Sequence, residues 1–376
     1  MKKIYLLIIL AFLAVTFNAK ATALDTTTQN SPSQKHEWRR IWISTLDNTD
    51  WPSEPGLNSE QQKKELIEYF DLSKSLNFNT VVLQVRPSGD AFYMSEYEPW
   101  SVYLTGDETK PPVPFYDPLQ FAVEQAHKRG LELHVWLNPY KNSLNTTFKN
   151  LESHNFLVKI VKDIVRRYDI DGINFDNYFY PDSENCKESI DSLNLMTEQI
   201  YKAVKQIKPY VKVGVCPCNS NDYNEWTDYT LQSRDFAASD IKNNLSGIIN
   251  IIKEKFKFPA IPPNILTDNQ KYSTPVAPTK PTIVIAAKKG SKAKEVKLLW
   301  NTYSGTYLFV IYRAKKGEEL VISNPQNIVD IINANTYTCT DVDAAEYDYY
   351  ITALSRYAKE SEPVLCKKQN ILTKGR

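Results

Sequence analysis

Six polar side chains follow short apolar segments that have the composition of buried strands. In a parallel β/α fold the carboxyl ends of the strands meet at one rim, and catalytic groups come from that rim. We therefore expect these six side chains to converge on a single site. They are Asp47, Arg86, Asp90, Asn138, Tyr140 and Asp176.

Asp176 is the leading catalytic candidate. It directly follows the apolar segment 172–175 and lies close to Tyr178 and Tyr180. A carboxylate between a buried strand and aromatic rings is desolvated, so its pKa can be tuned for general acid or base catalysis. A structural role stays open, in which Asp176 caps the next helix or pairs with Arg86.

Glu98 is the candidate for a second carboxyl group. It lies in the same predicted loop as Asp90 and precedes Pro99 and Trp100. The alternative for Glu98 is a purely structural role as an acceptor that fixes the loop.

The other polar candidates suit substrate binding. Arg86 can clamp a hydroxyl or carboxylate of a ligand, or it can hold Asp176 ionised. Asn138 and Tyr140 suit hydroxyl recognition, with loop structure around Pro139 as the alternative.

The elements that position these residues alternate between short apolar strands and amphipathic helices, which is the pattern of a parallel α/β sheet or barrel. Ser59 with Gln62 predicts a capping box, and Asp117–Pro118 and Gly130 predict the start and end of a second helix. The count of strands is about six, whereas a closed (β/α)₈ barrel has eight. The predicted strands are 40–46, 80–86, 132–137, 172–175, 211–215 and 229–232.

The C-terminal part has a different periodicity. Residues 266–281 are rich in proline and predict a linker. Residues 282–372 contain segments of alternating hydrophobicity that indicate an antiparallel, immunoglobulin-like sandwich of about seven strands. The predicted barrel domain is 37–265.

The N-terminus predicts export. A basic start, an apolar run and Ala21–Ala23 indicate a signal peptide over residues 1–23. The polar residues 24–36 suit a flexible leader. We therefore expect a periplasmic, cell-surface or secreted protein with no transmembrane segment in its mature form.

Composition excludes some partners. The chain of 376 residues has a net charge of +1, which gives no reason to expect nucleic acid or an anionic membrane as a partner. Aromatic residues make up 12%, and they suit either sugar-binding clefts or ordinary cores. The five cysteines have no metal-binding spacing, and no cofactor motif is visible, so we expect no metal and no cofactor. The oligomeric state is not predicted.

Five long motifs, in order, resemble the glycosyl hydrolase-like 10 family of exported bacterial proteins. They cover most of residues 38–215, and the tail more weakly resembles a fibronectin type III module at Trp300, Tyr312 and 349–351. The motifs are WISTLDNTDWP (42–52), LQVRPSGDAFY (83–93), EPWSVYLTG (98–106), AHKRGLELHVWLNPY (126–140) and YDIDGINFDNYFYP (168–181).

The resemblance implies a (β/α)₈ TIM-barrel-like domain that hydrolyses O-glycosidic bonds of a polysaccharide or oligosaccharide. Such hydrolysis uses two carboxyl groups, one to protonate the leaving oxygen and one as nucleophile or base. With the strand-end position of Asp176 and the loop position of Glu98, this requirement makes these two residues the catalytic candidates. The substrate-binding candidates are Asp47, Arg86, Asp90, Asn138, Tyr140 and Tyr178. Trp51 and Trp100 are candidate sugar platforms.

The chain also departs from the family pattern. Asn177 stands where many relatives have a second Asp, Lys141 stands where Arg is common, and the segments for strands six and seven are missing. These departures keep a second hypothesis open, a catalytically impaired carbohydrate-binding protein. A third, an adhesion protein acting through its sandwich, leaves the strand-end polar residues unexplained.

Overall fold

The computed structural model describes ten stretches of the chain, and the residues from Gln34 onward form one compact unit. The side chains of 151–153, 186–193 and 229–230 are outside this description. The described stretches are 34–139, 151–175, 186–215, 229–230, 235–244, 247–263, 274–287, 293–303, 305–341 and 343–368.

The first part of the chain alternates strands and helices as predicted. The strands are β1 (Arg40–Ile43), β2 (Thr80–Arg86), β3 (Glu132–Leu137), β4 (Gly172–Phe175), β5 (Lys212–Val215), β6 (Tyr229–Thr230) and β7 (Phe236–Ala237). The helices are α1 (Ser59–Ser75), α2 (Val102–Thr105), α3 (Pro118–Lys128), α4 (Leu151–Arg167), α5 (Cys186–Ile207), α6 (Ala238–Lys242) and α7 (Ile248–Lys255).

These strands form one parallel sheet in the order β6-β5-β4-β3-β2-β1-β7. The prediction of a parallel sheet of about six strands is confirmed in its five long strands, and β6 and β7 add two residues each. A flat sheet of this width would separate its edge strands by about 29 Å at ~4.8 Å per step. Thr230 and Phe236 lie at opposite edges but are joined by so few residues that their Cα atoms lie within ~22 Å of each other. The sheet therefore curves towards closure.

The two faces of the curved sheet differ in polarity. Side chains of a strand alternate between faces, and one set packs into the main apolar core with the helices, for example Leu83, Val135 and Ile173. The other set lines the concave face. There the rings of Trp42 on β1 and Trp136 on β3 meet edge-on across β2, with centroids 5.2 Å apart. The polar members of this set are Arg40, Thr80, Gln84, Glu132, His134, Asn174 and Lys212.

Local signals at the helix ends are mostly confirmed. The Asp117 carboxylate accepts hydrogen bonds from the amides of Leu119 and Gln120 at the start of α3. Gly130 follows the helix with φ +70°, a conformation that favours glycine. The capping box at α1 was wrong, because Asn58 is the N-cap and its side chain accepts from the Gln61 amide.

The last helical segment also differs from its prediction. The apolar pattern over 241–256 predicts one helix, whereas the structure has α6 and α7 with a turn between them. Asn244 and Gly247 both have positive φ values there, and such residues do not continue a right-handed helix.

The C-terminal region consists of two four-stranded sheets, in the orders β11-β10-β13-β14 and β12-β9-β8-β15. Residues such as Val296, Ile311 and Ile351 form the core between them. The predicted domain boundaries stay predictions. The strands are β8 (Thr279–Ala287), β9 (Lys294–Asn301), β10 (Leu308–Lys315), β11 (Ile328–Ile332), β12 (Thr336–Asp341), β13 (Tyr347–Leu354), β14 (Val364–Leu365) and β15 (Lys367–Lys368).

Within the described stretches no helix combines the length and the apolar character needed to cross a bilayer. The side chains of two of the five cysteines, Cys339 and Cys366, are described, and both are free thiols.

Candidate active site

The carboxyl ends of β2, β3 and β4 lie at the same level of the sheet. Arg86 is registered against Leu137, and Leu137 against Phe175. The residue after Leu137, Asn138, is fully buried, and its amide donates to the Arg86 carbonyl at 2.9 Å. The structure thus brings Arg86 and Asn138 together as predicted. Asp176, Tyr140 and Tyr178 lie outside the described residues.

Arg86 and Glu98 form a buried ion pair at this rim. The Arg86 Nε atom donates to both carboxylate oxygens, at 3.0 and 2.9 Å, and Nη2 donates to Oε1 at 2.6 Å. Each side chain is only 4% exposed. A third guanidinium nitrogen, Nη1, donates to the Asn138 carbonyl. The guanidinium therefore links the loop that carries Glu98 to the end of β3.

The environment of Glu98 changes its acidity. Burial raises the pKa of the Glu98 carboxyl above its ordinary value, and the nearby charge of Asp90 raises it further. The Arg86 guanidinium opposes this rise by stabilising the ionised form. A carboxyl group with a raised pKa is suited to donate a proton near neutral pH.

A cavity of about 410 Å³ opens beside Glu98. It lies in the range of volumes that small ligands occupy. The cavity brings together three residues that the sequence predicted for the site, namely Asp90, Glu98 and Trp100. It also contains three aromatic side chains that were not predicted, Tyr97, Tyr103 and Phe156.

Trp100 and Trp51 have different surroundings. Trp100 is partly exposed in the cavity, and its ring meets that of Phe115 edge-on at 6.5 Å. The prediction of Trp51 as a sugar platform was wrong. Its side chain is fully buried in the core, and its indole N–H donates to the carbonyl of Gln62 at 2.8 Å.

Asp47 lies at the edge of the same region. It follows β1 with φ 55°, so its backbone has left-handed geometry, and its side chain is exposed. Its neighbour Asn48 fixes this loop by donating to the carbonyls of Pro52 and Tyr103. Burial raises the pKa of the Tyr103 phenol, and the Asp47 carboxylate is close enough to raise it further.

The polar residues that line the concave face below the rim were not predicted from the sequence. Gln84 Oε1 accepts hydrogen bonds from the hydroxyls of Ser44 and Thr45 and from the amides of Thr45 and Leu46, and so fixes the turn after β1. Asn174 is fully buried on β4, two residues before Asp176. The signal was present in the sequence, because both residues interrupt otherwise apolar strands.

Comparison with known proteins gives one family model and several relatives. Residues 37–154 and 143–195 match the model described as Glycosyl hydrolase-like 10, which supports the resemblance seen in the motifs. "Glycosyl hydrolase YngK" of Bacillus subtilis (strain 168) is 35% identical over 230 residues, covering 48% of this chain and 45% of that protein. "Glycosyl hydrolase DigH" of Escherichia coli (strain K12) is 31% identical over 253 residues, covering 51% and 56%.

The chain spans about half the length of these relatives. Among solved structures, an endo-beta-1,4-mannanase from Thermotoga petrophila aligns over 91% of this chain and 99% of that chain, with a TM-score of 0.38 and 10% sequence identity.

Proposed function

We propose that this chain is an exported glycoside hydrolase, related to the glycosyl hydrolase-like 10 family, that cleaves O-glycosidic bonds of a bacterial or environmental polysaccharide. The observation that carries the proposal is the buried Glu98, with its raised pKa, at a cavity of about 410 Å³ lined by aromatic rings. Aromatic faces pack against the apolar faces of pyranose rings, and carboxylates accept hydrogen bonds from their hydroxyls.

In this proposal Glu98 and Asp176 are the two catalytic carboxyl groups. Glu98 is the proton donor to the leaving oxygen, since burial favours its protonated form. Asp176 is the nucleophile or the base. It directly follows β4 in the chain. Arg86 is a positioning residue, because it holds the Glu98 carboxylate in a fixed plane.

The remaining candidates have binding roles in the proposal. Trp100 is a platform for a sugar ring, and Asp90 accepts hydrogen bonds from hydroxyls in the same cavity. Asp47, Asn138, Tyr140 and Tyr178 bind hydroxyls around the rim. We also propose that the C-terminal sheets are a fibronectin type III-like module, since the sheet orders bring β10, β11, β13 and β14 together opposite β8, β9 and β12.

A cleavage screen with matched variants tests this proposal. The mature protein is incubated with a panel of oligosaccharides, and new reducing ends are measured. We expect Glu98→Gln and Asp176→Asn each to lower kcat by at least ~100-fold, the scale of general acid–base catalysis. Glu96→Gln is the control, because Glu96 is an exposed carboxylate in the same loop. Full turnover in Glu98→Gln would remove Glu98 from the mechanism.

A second candidate function is binding without cleavage. It is favoured by the ion pair itself, because a carboxylate held by two nitrogens of Arg86 is less free to transfer a proton. This alternative predicts that the wild-type protein binds oligosaccharides, measured by calorimetry, yet releases no reducing ends from any member of the panel. Glu98→Gln would then change affinity alone.

A further inference from the structure

A second cavity, of about 450 Å³, lies at the junction between the parallel sheet and the C-terminal region. Asp169 and Tyr210 on its wall precede β4 and β5, whereas the candidate active site follows the carboxyl ends of the strands. The length of β4, about 13 Å at ~3.3 Å per residue, therefore separates the levels of the two cavities. A ligand in one does not occupy the other.

Aromatic rings form the walls of this junction cavity. The rings of Tyr210 and Tyr357 meet edge-on with centroids 6.5 Å apart, and both residues are half-buried. The guanidinium of Arg356 lies over Tyr210 at 4.7 Å and over Tyr307 at 4.2 Å. The Tyr210 hydroxyl also donates to Asp169 at 3.0 Å. These contacts fix the rings before any ligand binds, which lowers the entropic cost of binding.

The polar groups at the cavity have balanced charge. Asp169 and Asp171 carry two negative charges, and Arg356 pairs with both of them. His127 also lines the cavity, and its ring lies 2.8 Å from the Asp171 carboxylate, so its protonated form supplies the second positive charge. The Asp169 carboxylate is half exposed, and Asn333 on the rim is exposed. The site therefore offers hydrogen-bonding groups and aromatic faces, and its charged side chains are already paired within the protein.

We propose that the junction cavity is a second carbohydrate-binding site, which takes neutral pyranose units of a polymer. A neutral sugar has the apolar ring faces and hydroxyl groups that Tyr357, Asp169 and Asn333 complement. A uronate or a phosphate would meet the carboxylate of Asp169, and the charge of Arg356 is already matched. Cavities of this size at the interface between two parts of a protein are common ligand sites. Binding here requires no catalysis and does not depend on the proposed hydrolysis.

Affinity gel electrophoresis of the mature protein tests the proposal with three soluble neutral polymers, hydroxyethylcellulose, galactomannan and glycol chitin. Asp176→Asn serves as the background, so that the polymers stay intact. We expect at least one polymer to retard the protein, and Tyr357→Ala to weaken that binding about tenfold. Tyr357→Phe keeps the ring and should bind like the parent. Tyr303→Ala is the matched control, because Tyr303 is 45% exposed in the C-terminal region and does not line the cavity.

Each outcome decides the proposal. Retardation that Tyr357→Ala leaves unchanged would overturn it, as would the absence of retardation in all three gels. The thermal midpoint of Tyr357→Ala shows whether this variant is folded. If it is unfolded, Tyr357→Phe and the additional variant Asn333→Ala are used for the test instead. Hydrolysis is measured separately, by the reducing-end assay with short oligosaccharides. Tyr357→Ala should match the wild-type protein in that assay, so a failure of the proposed hydrolysis is distinguished from a failure of binding at the junction cavity.

Discussion

The Arg86–Glu98 pair shows how two residues of the site depend on each other. Both side chains are 4% exposed, so neither charge is solvated well if its partner is removed. A buried ion pair adds little net stability over apolar residues of similar size, but breaking it leaves an uncompensated charge. Replacing only one of these two residues should therefore destabilise the protein.

A double-mutant cycle tests this dependence. Arg86→Met should lower the free energy of unfolding by about 3 kcal/mol, because it leaves Glu98 buried without its partner. Glu98→Met should cost a similar amount, for the opposite charge. The double variant should cost less than the sum of the two, measured by urea unfolding. Additive losses would show that the pair is not coupled.

Single residues differ in how well the sequence predicts their surroundings. Trp51 and Trp100 are both tryptophans next to proline in motifs that carry the family resemblance, yet one is core and the other lines a cavity. The difference arises from packing against α1 and its neighbours, which a local pattern does not contain. Arg86 and Glu98 were both predicted for the site, but their pairing depends on the path of the loop between them.

At the scale of elements, the turn from α3 to β3 joins two parts of the fold. Gly130 has φ +70°, and a Cβ atom built there would come well inside van der Waals contact of the Ile331 carbonyl oxygen on β11. Glycine is therefore needed at this position for two reasons. Its backbone has a left-handed conformation, and the C-terminal region comes too close to leave room for a Cβ atom.

Gly130→Ala should therefore be costly. We expect a loss of about 3 kcal/mol in the free energy of unfolding, from left-handed strain of ~1–2 kcal/mol and a clash that adds to it. Gly317→Ala is the matched control, since Gly317 has φ +84° and open space where a Cβ atom would lie, and it should show the strain alone. Equal losses in chemical denaturation would rule out the clash.

The two ends of α3 could be predicted from the sequence, whereas the contact made by the turn after it could not. The helix end at Gly130 and the start at Asp117 follow from hydrogen bonds within a few residues, so the sequence predicts them. The contact with Ile331 links positions about two hundred residues apart in the chain. No periodicity or capping rule contains that information.

At the scale of the whole molecule, buried charges hold the two parts together. The Asp171 carboxylate accepts from His127 at 2.8 Å and from Arg356 at 2.7 Å, and it also accepts from the Leu133 amide at 2.8 Å. The ring of His127 lies edge-on to Tyr307 of the C-terminal region, 5.4 Å away. Asp171 directly precedes β4, so the C-terminal region is fixed to the strand that leads to Asp176.

This junction should make stability depend on pH. Burial and the charge of Arg356 act to lower the pKa of His127, but the carboxylate of Asp171, with help from Asp169, outweighs them and raises that pKa above its ordinary value. Because this pKa is higher in the folded than in the unfolded state, protonated His127 stabilises the fold below about pH 6.5. The stabilisation is lost as the pH rises through the folded-state pKa. His127→Gln should therefore destabilise the protein more at about pH 6 than at about pH 8, in urea unfolding.

His36 provides a control of opposite sign. Burial and the charge of Lys35 lower the pKa of His36, so the folded state disfavours its protonation. Acidification should therefore destabilise the wild-type protein through His36, and His36→Gln should remove that loss of stability. The same pH trend in both variants would contradict the assignment of the effect to the His127–Asp171 pair.

The sequence predicted the division into a parallel α/β part and a β-rich tail, because periodicity changes along the chain. It did not predict how the tail docks. Arg356 and Tyr307 lie outside the motifs, and the motif that contains Asp171 does not indicate its partners. Only the folded chain brings these residues together.

The pairing of β7 with β1 has a consequence for how the protein folds. Ile41 is registered against Phe236, and the amide of Glu37 donates to the carbonyl of Ile261. Strands so far apart in the chain give a high contact order, which slows folding. Until the chain beyond residue 236 is available, β1 has an unpaired edge that can associate with other chains. Folding intermediates of this protein should therefore be the species most prone to aggregate.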